Sequence, residues 1–313
     1  MGYATLTFLR IEIIWIIDYS LEYMIDLRLI RHFESVYRLG SFSKAADEIG
    51  LSQSALTKSI QSLELAWGVT LFHRTTRSVA PTDAGKRLYP MSLDLLAHAE
   101  TVKAETRGGE RELKVVSGPA ILETLIHPAI LGFRQQFPRT RITAETMPPA
   151  HAVEELVQRR IHILIYHTTT IRGLPHANRL RTKKLFNEPY MVVCRPDHDV
   201  LKTDRTEASI LEFEWAIAGY DPVFEANLPS QTRELLQASQ FPKYRLLSQT
   251  ACLEMAKATN IITTAPKSAI AALLERGEIA AFRHPAEIAF AVSAAALVDT
   301  WREPTVQAFV DSL

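Results

Sequence analysis

Residues 41–60 have the sequence SFSKAADEIGLSQSALTKSI, which carries the features of two short helices joined by a tight turn. Ala45 and Ala46 are small enough for neighbouring helices to approach closely, and Gly50 permits the positive φ that such a turn needs. Leu51 follows at the corner, where its side chain can fill the space between the helices. The pattern predicts a helix-turn-helix in this part of the chain.

The second helix of this pair has two contrasting faces. Leu56, Ile60 and Leu63 recur at helical spacing and predict a buried stripe. The opposite face carries hydroxyls, an amide and one cation but no acid, at Ser54, Thr57, Lys58 and Gln61. Such groups can contact base edges and phosphates in the major groove of DNA. A small helical bundle with an ordinary polar face is the alternative interpretation.

Residues on either side of this face supply further candidate DNA contacts. They are Phe42, Ser52, Gln53, Arg74 and Arg77. Ser52 and Gln53 begin the helix, where free backbone N–H groups can bind a phosphate. Arg74 and Arg77 lie in a segment whose pattern predicts a short β wing. Between residues 72 and 87 four Lys or Arg side chains oppose one Asp, and this net charge of +3 suits contact with the DNA backbone.

The composition sets limits on the kind of protein. The chain has 313 residues, which suits two or three folded units. Its 35 Lys and Arg balance 35 Asp and Glu, which excludes a uniformly basic nucleic-acid binder and requires a local basic patch instead. Cys194 and Cys252 are far apart in sequence and lack CxxC spacing, which favours free thiols in the reducing cytoplasm.

The first 23 residues are an extension of unknown role. Residues 8–17 are largely apolar, but Arg10 and Glu12 interrupt them, so neither a membrane span nor a signal peptide is predicted. Met24 stands immediately before a good helical pattern and is a candidate translation start. The alternative is an additional helix or strand that packs on the domain.

The rest of the chain predicts a long helix followed by an α/β region. Thr82 can cap a helix over residues 83–106, and the run after it at 107–110 predicts a hinge. Strand patterns then occur at 113–116, 141–143, 161–166, 191–194, 215–218, 244–247, 261–264 and 289–294. Helical patterns separate most of them, which predicts parallel sheets covered by helices. The basic run 179–184 is expected to be a solvated loop.

The run from Leu27 to about Ala99 resembles the N-terminal domain of LysR-type transcriptional regulators. The matching residues are Phe33, Ser41, Phe42, Ala45, Ala46, residues 51–57, Ile60, Leu63, Glu64, residues 71–74 and residues 82–85. The resemblance implies a winged helix-turn-helix domain over 24–82, with the helix-turn-helix at 42–61, and a linker helix over 83–106 that pairs two subunits.

A weaker resemblance to the same family extends over the C-terminal part, at 185–198 and 261–266. It implies an effector-binding domain over 111–313, similar to periplasmic binding proteins and built from two α/β subdomains. Subdomain I is expected at about 111–194 and 286–313, and subdomain II at about 195–285. The family's usual assembly is a homodimer or a homotetramer.

The resemblance places a small-molecule effector in the cleft between the subdomains. Polar residues at predicted strand ends are the candidate contacts, namely Ser117, Gly118, His167, Thr168, Gln249, Thr250 and Thr264. Helix N-termini in such a cleft favour an anion, so a carboxylate metabolite is the first candidate. The alternative is that each hydroxyl caps its own helix.

The sequence therefore predicts a sequence-specific regulator that binds double-stranded DNA in the cytoplasm. RNA polymerase is a further candidate partner, and no membrane contact is expected. Ser41 to Lys44 match the Ser-x-x-Lys pattern of a catalytic serine, but its partner motifs are missing, and no metal-ligand spacing occurs, so neither an enzyme nor a cofactor is predicted. The alternative is a two-lobed solute-binding protein that does not bind DNA.

Overall fold

The computed structural model describes residues 25–74, 79–106, 112–219, 221–239 and 241–313. The chain divides into two compact units, Met1–Gly109 and Glu110–Leu313. The expectations for residues 1–23, for Arg77 and for the hinge at 107–110 concern segments outside the described residues.

The N-terminal unit begins with three helices joined by tight turns. They are α1 (Leu27–Leu39), α2 (Phe42–Ile49) and α3 (Gln53–Ala66). Each follows a polar residue, Asp26, Ser41 or Ser52, whose side chain accepts a hydrogen bond from the first turn. α1 and α2 end at Gly40 and Gly50, with φ of +58° and +72°, a conformation that glycine adopts without strain. The predicted helix-turn-helix is confirmed.

These helices bury one apolar cluster. Its fully buried side chains include Ile30, Phe33, Val36, Ala45, Leu56 and Ile60. Phe33 also packs against Phe72, with the ring centroids 5.4 Å apart. Removing this apolar surface from water, at about 25 cal/mol for each Å², is the main term that holds the helices together.

A short hairpin and a long helix complete the N-terminal unit. The hairpin pairs β1 (Phe72–Arg74) with β2 (Val79–Pro81) in antiparallel register, and the long helix is α4 (Asp83–Thr106). Glu64 on α3 anchors the hairpin, because its Oε1 accepts from the backbone N–H groups of Leu71 and Phe72 at 2.8 and 3.2 Å. The hairpin is the wing that the sequence predicts.

The C-terminal unit alternates strands and helices along the chain. Its strands are β3 (Glu112–Ser117), β4 (Arg141–Thr146), β5 (Ile163–His167), β6 (Leu180–Cys194), β7 (Glu214–Ala218), β8 (Tyr244–Leu246), β9 (Ile261–Pro266), β10 (Ala280–Arg283) and β11 (Ala289–Leu297).

The helices of this unit lie between those strands and after the last one. α5 is a continuous helical run over 119–136 that contains a π-helical turn at Leu122–Ile126. The others are α6 (Pro149–Val157), α7 (Thr168–Gly173), α8 (Glu207–Ile210), α9 (Pro222–Ala226), α10 (Ser230–Ala238), α11 (Gln249–Ala258), α12 (Lys267–Glu275) and α13 (Pro304–Asp311). Short 3₁₀ turns lie at Ala177–Arg179, Asp199–Lys202 and Thr300–Arg302.

The strands form one mixed sheet in the order β4-β3-β5-β11-β6-β9-β7-β8, with β10 also paired to β6. We call the half around β4, β3, β5 and β11 lobe 1, and the half around β9, β7, β8 and β10 lobe 2. β6 belongs to both, since residues 180–189 pair with β11 and residues 190–194 pair with β9 and β10.

The expectation of parallel sheets is correct only for the three strands at each end of the sheet, because β11 is antiparallel to β5 and β6 is antiparallel to β9. β3 pairs in parallel with β4 and β5, and β7 with β8 and β9. β6 and β11 are antiparallel, because β6 leaves lobe 1 as one long strand and β11 returns beside it without a helical crossover. The basic run expected to be a loop begins in the 3₁₀ turn that ends at Arg179 and continues into β6, where residues 181–184 have exposed side chains but paired backbone.

Within the described residues, we find no helix with both the length and the apolar character needed to cross a bilayer.

Candidate functional sites

The first candidate site is the solvent-facing side of α3. Ser54, Lys58 and Gln61 are exposed and Thr57 is half-buried. Leu56, on the opposite face, is completely buried. The nitrogen of Lys58 forms no ion pair with another described residue, so its charge is directed at solvent. The face can therefore offer hydroxyl, amide and ammonium groups to a ligand without losing contacts that the fold needs.

Contacts at both ends of α3 hold this face in place. The hydroxyl of Ser52 accepts from the backbone N–H of Ala55 at 3.1 Å and lies 3.1 Å from the hydroxyl of Ser54. His32 on α1 approaches Ser59 with 2.5 Å between ring nitrogen Nδ1 and Oγ. Since α3 is fixed against α1, its outer face is presented as a rigid surface.

The remaining residues predicted to contact DNA differ in their exposure to solvent. Gln53 is exposed at the start of α3, together with Ser52. Phe42 is only 7% exposed and its ring packs edge-on against Phe72, so it belongs to the core and the prediction that it contacts DNA is wrong. Arg74 ends β1, where the structure describes its backbone, and Arg77 lies outside the described residues.

The second candidate site is a cavity of about 800 Å³ between the two lobes of the C-terminal unit. Lobe 1 contributes the carboxyl ends of β3, β4 and β5, and lobe 2 contributes those of β7 and β8. Ligands in α/β proteins bind preferentially at the carboxyl ends of parallel strands. A volume of this size is within the range of small-molecule sites.

Most of the side chains that line the cavity are apolar. Lobe 1 and the strands that join the lobes contribute Ile121, Met147, Pro148, Pro149, Ile288 and Phe290. Lobe 2 contributes Trp215, Ile217, Phe224, Leu228, Leu236, Phe241 and Leu246. The cavity can therefore remove a large apolar surface of a ligand from water.

Aromatic rings form two groups in this lining. In the first, the ring centroid of His167 lies 4.2 Å from that of Phe224 and 5.3 Å from that of Phe290. In the second, Trp215 packs edge-on against Phe241 at 5.4 Å. Rings in both groups present flat surfaces on which a ligand ring can stack.

The polar groups of the lining are largely uncharged or already bonded. His167 approaches the hydroxyl of Tyr190 at 3.0 Å, and burial lowers the pKa of His167 to about 4. Burial likewise lowers the pKa of His284 to about 4. Both rings are therefore neutral at pH 7. Asp221 accepts from the backbone N–H groups of Val223 and Phe224 at 3.0 Å.

Three of the residues predicted to contact an effector line the cavity, namely Gly118, His167 and Thr264. The other four are outside its lining. Ser117 is buried and donates its hydroxyl hydrogen to the carbonyl of Gly118, and Thr168 shares a 2.7 Å hydrogen bond with Ser293.

The remaining two predicted residues have partners inside the protein. Gln249 donates its side-chain amide to the carbonyl of Thr264 at 3.0 Å. Thr250 is bound to Glu123 of lobe 1 through its backbone N–H and its hydroxyl. The N-terminus of α11, where an anionic effector is expected, therefore already holds a carboxylate of this chain.

Residues of lobe 2 that the sequence did not indicate form much of the wall, among them Trp215, Phe224, Thr232 and His284. Trp215 and Phe224 resemble ordinary core residues in sequence, because apolar side chains that face a cavity follow the same pattern as those that face a core. Only the packing of the two lobes distinguishes the two cases.

Comparison with known protein families gives matches over both units of the chain. A family model described as bacterial regulatory helix-turn-helix protein, lysR family, matches residues 27–86, and one described as LysR substrate binding domain matches residues 106–313. The match over 27–86 decides against the alternative of a solute-binding protein without a DNA-binding domain.

Individual relatives support the same assignment. The SDS degradation transcriptional activation protein of Pseudomonas sp. is 26% identical over 267 residues, 82% of this chain and 84% of that protein. The Hca operon transcriptional activator HcaR of Escherichia coli is 27% identical over 206 residues, 65% of this chain and 68% of that protein.

A solved structure shows the same fold. A full-length OxyR variant from Pseudomonas aeruginosa has a TM-score of 0.57 and 20% identity, over 93% of this chain and 95% of that one. The chain belongs to the LysR family and is a DNA-binding transcriptional regulator, with a helix-turn-helix domain followed by an α/β effector-binding domain.

Proposed function

We propose that the outer face of α3 binds the major groove of DNA through Ser54, Thr57, Lys58 and Gln61. This proposal is supported by the observation that the polar face of α3 faces solvent while the opposite apolar stripe is buried. An α-helix fits the major groove, where hydroxyl, amide and ammonium groups can distinguish base pairs.

We propose that the groups flanking this face bind the DNA backbone. Ser52 and Gln53 offer the helix N-terminus to a phosphate, and the sequence supplies positive charge at Arg74 and Arg77. These contacts would set the register of α3 in the groove without reading sequence.

The test uses DNA binding as a function of salt. Footprinting on the intergenic DNA beside the protein's own gene first identifies the operator. Lys58→Ala combined with Arg74→Ala is then expected to weaken binding and to lower the slope of log K against log salt by about 2. Unchanged affinity and slope contradict the assignment. Lys202→Ala, an exposed lysine of the C-terminal unit, is the matched control.

We propose that the cavity between the lobes is the effector site. Its position at strand carboxyl ends, its size and its lining from both lobes support this assignment. A ligand that contacts both lobes has a higher affinity for one lobe arrangement than for others, so its binding shifts their populations. The corresponding measurement is an effector-dependent change in the DNA footprint, which should be lost when Leu228→Trp fills part of the cavity.

We propose that α4 pairs two subunits through an apolar stripe. Met91 and Val102 are 65% and 57% exposed, and Leu95 lies between them on the same side of the helix. A stripe of this kind is covered in a helix pair, because each partner then removes it from water. A homodimer or a homotetramer would present several α3 helices to successive turns of DNA.

We place this activity in the cytoplasm, with RNA polymerase as a further partner, because a bacterial regulator acts where transcription occurs.

A further inference from the structure

We propose that the cavity takes an uncharged and mainly apolar molecule, and that the hydroxyl of Thr232 binds its one polar group. The inference rests on the proposed function of the cavity as the effector site. It replaces the expectation of a carboxylate metabolite with a different chemical class.

Thr232 supplies the polar contact. It lines the cavity from α10 and is 3% exposed, yet its Oγ1 has no hydrogen-bond partner among the described residues. Buried hydroxyls in folded proteins nearly always have a partner, because leaving one unpaired costs free energy. Rotation of the side chain to another rotamer would turn the hydroxyl towards the cavity, where a hydroxyl, carbonyl or ether of a ligand would provide that partner.

The surroundings of Thr232 favour an apolar body for the ligand. Leu236 follows Thr232 by one turn of α10, Leu228 precedes that helix, and both line the cavity. Trp215 and Phe241 provide ring faces within the same lobe. A ligand that reaches Thr232 is therefore surrounded by groups that bind it through apolar contact and stacking.

The charges around the cavity disfavour an anion. Glu123 already occupies the N-terminus of α11, and the carboxylates of Asp221 and Glu225 belong to the lining. Among the described lining residues Arg245 is the one lysine or arginine, and it is exposed to solvent. A carboxylate placed deep in the cavity would lose its hydration without gaining a buried cation.

A matched set of probes tests the inference in the full-length protein. The probes are 1-naphthylmethanol, 1-naphthoate and 1-naphthylmethylammonium, which share one ring system and differ in charge. Isothermal titration calorimetry is expected to show the alcohol bound at least tenfold more tightly than either ion. Tighter or equal binding of an ion overturns the inference.

Two variants test the role of Thr232. Thr232→Val keeps the shape and is expected to weaken 1-naphthylmethanol about five-fold while leaving 1-methylnaphthalene unchanged. Thr305→Val, at a buried threonine outside the cavity lining, is the matched control and leaves both unchanged. An equal effect on both probes in Thr232→Val contradicts the hydrogen bond.

The experiments distinguish failure of the proposed effector site from failure of the inferred chemical class of its ligand. Binding that survives Leu228→Trp, which fills part of the cavity, places the probe outside the cavity and overturns the inference. If the alcohol binds in the cavity while no cavity ligand changes the DNA footprint, the proposed effector site fails and the chemical class of the cavity stands. If the naphthoate binds there instead and changes the footprint, the site stands and the inferred class fails.

Discussion

Oxygen Oε2 of Glu123 accepts two hydrogen bonds from Thr250, one from the backbone N–H at 2.7 Å and one from the hydroxyl at 2.8 Å. Glu123 lies in the π-helical turn of α5 in lobe 1, and Thr250 lies in the first turn of α11 in lobe 2. One carboxylate therefore joins the lobes beside the cavity and neutralises the positive end of α11.

This contact gives a pH-dependent contribution to stability. Burial raises the pKa of Glu123, but hydrogen bonds from Thr250, Ser248 and Gln249 outweigh it and leave the pKa below the usual 4.5. Because the folded pKa is depressed, the carboxylate stabilises the fold above about pH 4.5, and this contribution is lost as pH falls through the folded value.

Replacing Glu123 tests that contribution. Glu123→Gln is expected to lower the unfolding free energy at pH 7 by about 1 kcal/mol, a value reduced for partial exposure to solvent. Thermal unfolding of wild type and variant should converge as pH is lowered below 4.5. The control is Glu145→Gln, at an exposed position on β4. Equal stability at pH 7 contradicts the prediction.

His167 gives a second pH effect, over a different range. Its folded pKa of about 4 lies below the usual 6.5, because burial disfavours the charged ring. The unfolded chain therefore takes up a proton before the folded one, and stability falls as pH decreases from 6.5 to 4, by up to about 1.4 kcal/mol per pH unit. His167→Gln should reduce that slope in chemical unfolding between these pH values. An identical slope in both proteins excludes a contribution from this ring.

At position 85, even the methyl side chain of alanine is expected to clash with neighbouring atoms. A Cβ there would approach the carbonyl oxygen of Leu71 more closely than real Cβ atoms do, and this oxygen belongs to the backbone, which cannot move easily. Gly85→Ala should therefore destabilise the N-terminal unit by about 1–3 kcal/mol, although alanine normally favours a helix over glycine.

Gly132 is the matched control for that substitution. It is exposed in the helix His127–Gln136, and a Cβ there would meet no atom within 4 Å. Gly132→Ala should be stabilising by about 0.5–1 kcal/mol. Differential scanning calorimetry measures both variants, and a stabilising Gly85→Ala would contradict the packing at Leu71.

Gln61 and Lys58 are expected to contribute differently to DNA binding. An amide can pair with a base edge, whereas an ammonium group acts mainly on phosphate charge. Gln61→Ala should relax base preference at one or two operator positions in a selection from random duplexes. Lys58→Ala should weaken all sequences alike. Loss of preference in Lys58→Ala and not in Gln61→Ala would reverse the two roles.

The stripe on α4 predicts a subunit interface. Met91→Glu combined with Val102→Glu should place charges in the apolar contact and shift the protein towards monomer in sedimentation velocity, with at least a tenfold weaker dimer. Leu131→Glu, at a position 64% exposed on α5, is the control and should leave the assembly unchanged. A double variant that remains as oligomeric as wild type places the interface elsewhere.

The sequence alone determined the local elements of this protein, because they depend on neighbouring residues. The helix-turn-helix follows from helix spacing, from the start of α3 at Ser52 and from Gly50, whereas the structure shows that the cap of α2 is Ser41. Strand and helix patterns likewise located most of the α/β region. The polar face of α3 could be predicted because the same spacing that buries Leu56 and Ile60 exposes the residues between them.

Only the tertiary structure decided where distant segments meet. The antiparallel pairing of β6 with β11 and the addition of β10 depend on strands more than 80 residues apart in sequence. The cavity depends on the same pairing, since it places Thr232 and Trp215 opposite lobe 1. The sequence predicts that Thr250 contacts an effector, but in the structure Glu123, 127 residues away, binds it. No local pattern encodes such a contact, since its partners are brought together by packing of the whole domain.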